Sequence, residues 1–221
     1  MVLQYAEDVL QDISHSHSHA DTRQPPKEAF YKHLSLAATL KARFVTDVDR
    51  IVVENSLTKK NLNLAKESEI KEIMLLSIVL KKRDFDGKIV EAIARQNPHK
   101  LIFLLEYENE CQLAVYHSKL YRTEWMKEQD LSLGLSGDTL NEIWDDLVRQ
   151  IAVSSEAVLK QEGQTIDEQL KTQDKIDRLN KLIKKIEAAA WKEQQPKKRF
   201  ELYTELQKYK EQLEEIIHGK A

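Results

Sequence analysis

Two continuous apolar runs, with a short helical pattern between them, constrain the fold of this chain most. The runs are EIMLLSIVL at residues 72–80 and KLIFLLEY at residues 100–107. Each is apolar at both alternating sets of positions, which is typical of a strand covered on both faces of a sheet. Between them, the apolar residues of 89–93 recur at helical spacing. Strand, helix and strand predict a β-α-β unit with two parallel strands joined by a right-handed crossover.

Further strands are predicted after this unit. The sequence ENE at 108–110 is a turn candidate, and CQLAVYHS at 111–118 then alternates as an antiparallel hairpin partner nearer an edge does. YRTEWM at 121–126 predicts one more strand. The sheet is therefore expected to be mixed, with three to five strands.

Helices are predicted on either side of the sheet. An apolar stripe with steps of three and four predicts a long helix that ends near Asn55. Its members are Leu36, Leu40, Phe44, Val48, Ile51 and Val52. A second helix is predicted after Thr139, because Thr139 and Glu142 have the spacing of a capping box. The fold class is thus α/β or α+β over residues 27–160, after a leader or flexible arm at 1–26.

The last part of the chain, 161–221, has the heptad pattern of a coiled coil on both sides of Pro196. The apolar a and d positions are Ile176, Leu179, Ile183, Ile186 and Ala190, then Leu202, Leu206, Tyr209, Leu213 and Ile216. Extending the first run predicts an a position at Lys197, whereas the second run places it at Arg199. A shift of two is not one that a continuous coiled coil absorbs easily. We therefore predict a break within 192–198 and an antiparallel helical hairpin; the alternative is one long helix kinked at Pro196 beside a partner chain.

Composition excludes several classes of protein. The chain has 221 residues and a net charge of −3, which argues against broad non-specific binding to nucleic acid. A single cysteine, Cys111, rules out an internal disulfide. No apolar stretch reaches the roughly 18 residues that span a bilayer, and the N-terminus does not have the pattern of a signal peptide. A cytoplasmic protein with no membrane partner and no cofactor is expected.

Two patterns could hold a metal ion. In the first, HSHSH places His15, His17 and His19 on one side of an extended segment, where Zn²⁺ or Ni²⁺ could bind; the simpler interpretation is a polar linker. The second is a nuclease-like arrangement of carboxylates for Mg²⁺ after the two buried strands. Its members are Glu106, Glu108 and Glu110 with Asp84 and Asp86. No Glu-x-Lys triplet completes it, since only His117 and Lys119 follow, so a solvated turn is the simpler interpretation.

Two basic clusters could contact phosphate or an acidic protein. Lys81, Lys82 and Arg83 end the first buried strand, where ligands of open α/β sheets collect. The second cluster lies at the predicted hairpin tip, just after Trp191. It comprises Lys197, Lys198 and Arg199. For both clusters the simpler interpretation is charge that keeps the segment in water. No Walker A, dinucleotide-binding or serine-hydrolase motif is present, so no catalytic residue is predicted.

Five segments taken together resemble a known bacterial family. They are KEAFYKHL, KARFVTDVDRIVVEN, KLIFLLEY, TEWM and KEQQPKKRFELYTELQKYKEQL. Their order and spacing resemble the family named domain of unknown function four-three-nine-one, over roughly 27–217. The resemblance implies a protein encoded beside restriction-type helicases and DNA methyltransferases. The family has no established catalytic residues, so the resemblance assigns none to this chain.

The sequence therefore favours a non-catalytic accessory subunit, of a restriction–modification or phage-defence complex, that docks on a helicase or methyltransferase. The alternatives are a divergent metal-dependent nuclease and a nucleic-acid-binding module.

Overall fold

The computed structural model describes residues 34–159 and 163–218. The described residues form two compact units, divided between Ala152 and Val153. We call them the sheet unit (34–152) and the helical unit (153–159 and 163–218). The leader at 1–26 and the predicted boundary between 160 and 161 lie outside the described residues.

The sheet unit contains one mixed sheet. Its described strands are β1 (Val48–Thr58), β2 (Glu72–Leu80), β3 (Lys100–Tyr107), β4 (Glu110–His117), β5 (Lys119–Arg122) and β6 (Met126–Lys127). The strand order is β1-β2-β3-β4-β5, and β6 also pairs with β4. β2 and β3 are parallel and the other pairs are antiparallel. The parallel β-α-β unit is thus confirmed, with helix α2 (Lys88–Gln96) between its strands, but the sheet has one strand more than the predicted maximum.

The long helix predicted to end near Asn55 is wrong beyond Asp47. Helix α1 (Ala38–Asp47) ends there, and the chain continues directly into β1. β1 pairs with β2, but its register shifts between Val48 and Arg50 and again between Val53 and Asn55. Each bulge adds a residue and disturbs the two-residue alternation. Of the four buried residues of β1, Ile51 and Val52 therefore follow Val48 by three and four positions, and this spacing resembles that of a helix.

Strand β4 was expected as an antiparallel hairpin partner nearer an edge, and it pairs antiparallel with β3 and lies one strand in from the edge strand β5. β3 pairs with one side of β4, and β5 and β6 pair with the other. The five residues of 111–115 are all buried, so both faces of β4 are covered. The β3–β4 turn consists of Glu108 and Asn109, and Glu108 has a φ of 53°. The strand predicted at 121–126 is interrupted between β5 and β6.

Helices cover both faces of this sheet. On one face, side chains of α1 and α2 form a buried cluster with β2, Phe103 and Leu105 of β3, and Ala114 of β4. Ile102 and Leu104 are buried as well and point to the opposite face. Helix α3 (Leu140–Ala152) contacts β2, β4 and β5 there, through an apolar stripe. Its predicted start is confirmed: the Glu142 backbone N–H donates to Thr139 Oγ1 at 3.2 Å.

The helical unit contains α4 (Glu156–Leu159), α5 (Ile166–Lys192) and α6 (Pro196–His218). Only residues 193–195 separate the two long helices, which pack on each other as a hairpin. Pro196 is the first residue of α6, where its fixed φ suits a helix and no N–H is needed. The chain therefore has two helices here, and the alternative of one kinked helix is wrong. All ten predicted a and d residues are buried or half-buried.

None of the helices in the described part of the chain is long and apolar enough to cross a bilayer.

Candidate functional site

The end of β2 and the end of α1 meet at a buried carboxylate. Asp47 is fully buried, and its Oδ1 accepts a hydrogen bond from Thr46 Oγ1 at 2.6 Å and lies 2.8 Å from Lys82 Nζ. Its Oδ2 accepts from the Asp86 backbone N–H at 3.1 Å. Burial alone would raise the pKa of Asp47, but the hydrogen bonds from Lys82, Thr46 and Asp86 outweigh it and the pKa is lowered. Asp47 thus joins α1, β2 and the loop before α2 while ionised.

Each cation of the predicted basic run that follows β2 contacts another group of the protein. Lys82 pairs with Asp47, as above. Lys81 Nζ donates to the Val45 carbonyl at 3.1 Å. Arg83 pairs with Glu110 at 3.3 Å, and its guanidinium lies 5.6 Å from the ring centre of Trp125. Lys81, Lys82 and Arg83 therefore contact the protein itself, and a bound phosphate would compete with those contacts.

The predicted carboxylates of the nuclease-like arrangement take different roles. Glu106 accepts a hydrogen bond from Ser77 Oγ of the neighbouring strand. Asp86 accepts from the Lys88 backbone N–H at 3.0 Å and so helps to start α2. Glu108 lies in the β3–β4 turn, and Glu110 pairs with Arg83. Within 34–159 and 163–218, no three His, Cys, Asp or Glu side chains come together as metal ligands. His15, His17 and His19 lie outside the described residues.

Cys111 lies beside these acids in surroundings that disfavour a nucleophile. The residue is buried, and burial, followed by the charges of Glu128 and Glu106, raises the pKa of its thiol to about 11. A thiolate is required for nucleophilic attack. Cys111 therefore acts as a small apolar residue of the sheet.

A surface depression of about 510 Å³ lies near the β3–β4 turn. Asn109 and Glu110 line one side, and Lys127, Glu128 and Gln129 line the other. Its lining side chains are polar or charged, with both signs of charge. The depression is also open to solvent, whereas a ligand site is usually a cleft or cavity that encloses its ligand. It therefore gives no preference for one class of ligand.

The hairpin tip, which we define as residues 191–203, differs from every site above. Trp191 is 79% exposed, Phe200 is 72% exposed and Tyr203 is 43% exposed. Residues 196–201 are exposed at every position, so the first turn of α6 does not pack against α5. Isolated surface apolar residues are common, but three large aromatic residues within 13 positions are a cluster. The tip is the candidate functional site that we develop.

The cations of the tip are available to a ligand. Lys197, Lys198 and Arg199 are exposed, and none of their side chains has an ion pair or hydrogen bond within the part of the chain that the structure describes. In this they differ from Lys81, Lys82 and Arg83. The structure thus brings Trp191 and the three cations to one end of the hairpin, as the sequence predicted.

Sequence reasoning missed two of the aromatic residues and the buried carboxylate. Phe200 and Tyr203 are three apart and lie outside the a and d positions, so this spacing could have marked them as an exposed helical stripe. Asp47 gave no such signal, because it lies within the long helix that was predicted to end near Asn55.

Comparison with known proteins identifies a family but no solved relative. A family model described as "Domain of unknown function (DUF4391)" matches residues 18–213, which confirms the resemblance found in the sequence. No curated protein and no solved structure matches the chain. The neighbouring genes implied by the resemblance stay a prediction. The comparisons assign no activity, ligand or partner to the residues of the tip.

Proposed function

We propose that this chain, which belongs to the family described as "Domain of unknown function (DUF4391)", is a non-catalytic interaction subunit that docks on a larger protein through its helical hairpin. The single observation that supports this is the contrast between the seam and the tip of the hairpin. The seam residues of α5 and α6 bury one another, whereas the tip leaves three large aromatic side chains in water. Exposed clusters of this kind mark interaction surfaces.

The length of the hairpin supports the same role. With 27 residues in α5 and 23 in α6, the arms are about 40 and 35 Å long at 1.5 Å per residue. We propose that the two arms supercoil as an antiparallel coiled coil, because the buried positions follow the heptad spacing. Such a pair of helices stabilises itself and leaves its tip free for a partner.

The nature of the partner rests on the family resemblance. It favours a helicase or DNA methyltransferase subunit of a restriction–modification or phage-defence complex, assembled in the cytoplasm. No contact within the described residues bears on this choice, so it is the first assumption to test.

The test is co-purification from cells that express the neighbouring helicase and methyltransferase genes. Full-length protein carrying an affinity tag is expected to retain one of these subunits, and the same protein without residues 166–218 is expected to lose it. Circular dichroism and fluorescence of Trp125 and Trp144 provide the control that the sheet unit still folds. Undiminished complex formation by the shortened protein would contradict the proposal.

One observation favours a second function, a nucleic-acid-binding module. The three cations of the tip, which have no ion pair among residues 34–159 and 163–218, could contact a phosphate backbone, and such binding would weaken steeply with salt. A gel-shift assay at low salt with single- and double-stranded DNA decides this, because a shift that is lost after replacing Lys197, Lys198 and Arg199 with glutamine would support it. The metal-dependent nuclease stays a prediction; intact DNA and RNA after incubation with Mg²⁺ or Mn²⁺ would exclude it.

A further inference from the structure

We propose that one flank of the hairpin tip binds an acidic, amphipathic segment of a partner protein, with Trp191, Phe200 and Tyr203 as the apolar contacts and Arg199 as the nearest charge. This inference rests on the proposed function, because it assigns the docking role of the hairpin to particular residues and to one class of partner.

The position of the flank follows from an ion pair between the two helices. Glu187 of α5 and Lys210 of α6 lie 3.6 Å apart, so both project on the same side of the hairpin. Trp191 follows Glu187 by four residues and Tyr203 precedes Lys210 by seven. Residues separated by three, four or seven positions share one face of a helix. Trp191 and Tyr203 therefore lie on the flank that the ion pair marks.

Phe200 extends this flank toward the end of the hairpin. It precedes Tyr203 by three residues, so the two rings are neighbours on α6. Neither residue belongs to the seam, since Leu202 and Leu206 are the buried or half-buried residues of this segment. The three aromatic side chains thus form a surface that the hairpin itself does not use.

The exposed fractions show how much binding surface is available. Trp191 and Phe200 keep 79% and 72% of their surface in water. Aromatic side chains bury roughly 150 to 250 Å² each when a partner covers them, and Trp and Tyr are the residues most enriched among energetically important contacts. The tip therefore has the area and the residue types of a small anchoring site.

The charges near this flank favour an acidic partner. Arg199 precedes Tyr203 by four residues, and Lys184 precedes Glu187 by three, so both lie toward the aromatic flank. Glu201 is two residues from Tyr203 and points to the other side of α6. Residues 191–203 contain four basic and two acidic side chains, although the whole chain has a net charge of −3. Opposite charges steer two surfaces together and fix their register.

The charges along α6 disfavour nucleic acid as the occupant of this arm. Lys197, Lys198 and Arg199 rise by only about 3 Å along the helix. Beyond them, residues 200–218 of α6 contain five acidic and two basic residues, whereas residues 181–192 of α5 contain one acidic and four basic residues. A phosphate backbone that followed α6 would be repelled after its first contact, whereas a short acidic segment of a protein would not reach that far.

The test compares two full-length variants, one changed on the aromatic flank and one changed off it. The first is the double variant Trp191→Ala with Phe200→Ala. The control is Leu182→Ala, which removes a side chain that is 37% exposed on α5 and off the aromatic flank. Circular dichroism should be unchanged in both, because none of the three side chains belongs to the seam. Any difference in binding then reports on the surface and not on folding.

Three kinds of fluorescent probe are used, and their binding is measured by fluorescence anisotropy. The first is a panel of 15-residue peptides of Asp, Glu, Leu and Phe in amphipathic order. The second is the same panel with Asn and Gln in place of the acids, and the third is a single-stranded oligo-dT. We expect the acidic panel to bind the parent protein and Leu182→Ala equally. The double variant should bind the acidic peptides at least about tenfold more weakly, because the loss of an anchoring aromatic residue lowers affinity by that factor or more. Replacing Lys197, Lys198 and Arg199 with glutamine should lower affinity and reduce its dependence on salt.

Several results would overturn the inference. They are binding of no acidic peptide, equal binding of the amide peptides, unchanged affinity in the double variant, or binding of oligo-dT in preference to the peptides. These outcomes are separable from failure of the proposed function. If deletion of 166–218 abolishes the complex but the double variant retains it, the hairpin docks through another surface and only the present inference fails.

Discussion

Replacing Asp47 with asparagine is expected to lower the free energy of unfolding of the sheet unit by about 2 to 3 kcal/mol. Asparagine has the same shape as aspartate but no charge. The structural reason is that Asp47 is fully buried and accepts contacts from Thr46, Lys82 and the Asp86 backbone. An amide can replace only one of the two carboxylate oxygens.

The magnitude follows from the groups that lose their partner. If the amide oxygen keeps the contacts to Thr46 and Lys82, the amide N–H₂ faces the Asp86 N–H, and a partly buried donor is left unpaired. Such a donor costs about 1 to 3 kcal/mol, and a hydrogen bond to a charged group contributes about 1.5 to 3 kcal/mol. Lys82 is 41% exposed, so water replaces part of what it loses. This exposure reduces the summed cost of about 2.5 to 6 kcal/mol, and we therefore expect a loss of about 2 to 3 kcal/mol.

The assay is urea unfolding followed by tryptophan fluorescence in a Trp191→Phe background. The chain has three tryptophans, so only Trp125 and Trp144 of the sheet unit then report. The matched control is Asp49→Asn, two residues further along, because Asp49 is exposed. A surface change of this kind alters the free energy of unfolding by no more than about 0.5 kcal/mol.

The pH dependence gives a second check with a fixed sign. The pKa of Asp47 is lowered in the folded protein, since its hydrogen bonds outweigh its burial. Its contribution is therefore complete above the unfolded pKa of about 3.9 and is lost as the pH falls through the folded pKa. The difference between the parent and Asp47→Asn should be full at pH 7 and narrow below about pH 4. A difference that is absent at pH 7, or no larger than that of Asp49→Asn, would refute the reasoning.

Three further predictions concern other parts of the chain. Thr165→Ala removes the capping box of α5 and should lower the free energy of unfolding of the helical unit by about 1 kcal/mol, as measured by thermal unfolding followed by circular dichroism. Cys111, with a pKa of about 11, should be ionised in about one molecule in a thousand at pH 8 and should react with a thiol reagent only in urea; rapid reaction of the native protein would contradict its burial. Gly137→Ala should destabilise by about 1 kcal/mol or more, because Gly137 has a φ of +140° and a new Cβ would lie 2.7 Å from Glu142 Cβ. Gly134→Ala should not destabilise the protein, because the nearest atom to its new Cβ lies 3.8 Å away. Equal melting temperatures of the Gly137→Ala and Gly134→Ala variants would contradict the prediction and show that the loop adapts.

The sequence predicted those elements whose patterns arise within a short segment. The seam of the hairpin was predictable residue by residue, because a heptad repeat depends on helical geometry alone. The parallel β-α-β unit was predictable because strands buried on both faces are apolar throughout. Trp191 and the cations of the tip were predictable from the break at Pro196.

The elements that were mispredicted depend on distant partners. β1 became a strand because β2 pairs with it, and its bulges gave it a helical spacing of apolar residues. β4 lies one strand in from the edge, as expected, but α2 and α3 contact it and residues 111–115 are all buried, which its alternating pattern did not indicate. The role of Lys82 was likewise hidden, since its partner Asp47 is 35 positions earlier in the chain. A phosphate bound at Lys81–Arg83 would compete with these intramolecular contacts, and a ligand site there stays a prediction.

The bulges of β1 have a consequence for aggregation. β1 is at one end of the strand order, so its outer edge could in principle pair with a strand of another molecule. Two register shifts within 11 residues twist this edge and interrupt its row of hydrogen-bonding groups. The exposed charges of Asp49 and Arg50 lie at the first of them. The irregularity that makes β1 resemble a helix in the sequence therefore also makes this edge a poor template for a strand of another molecule.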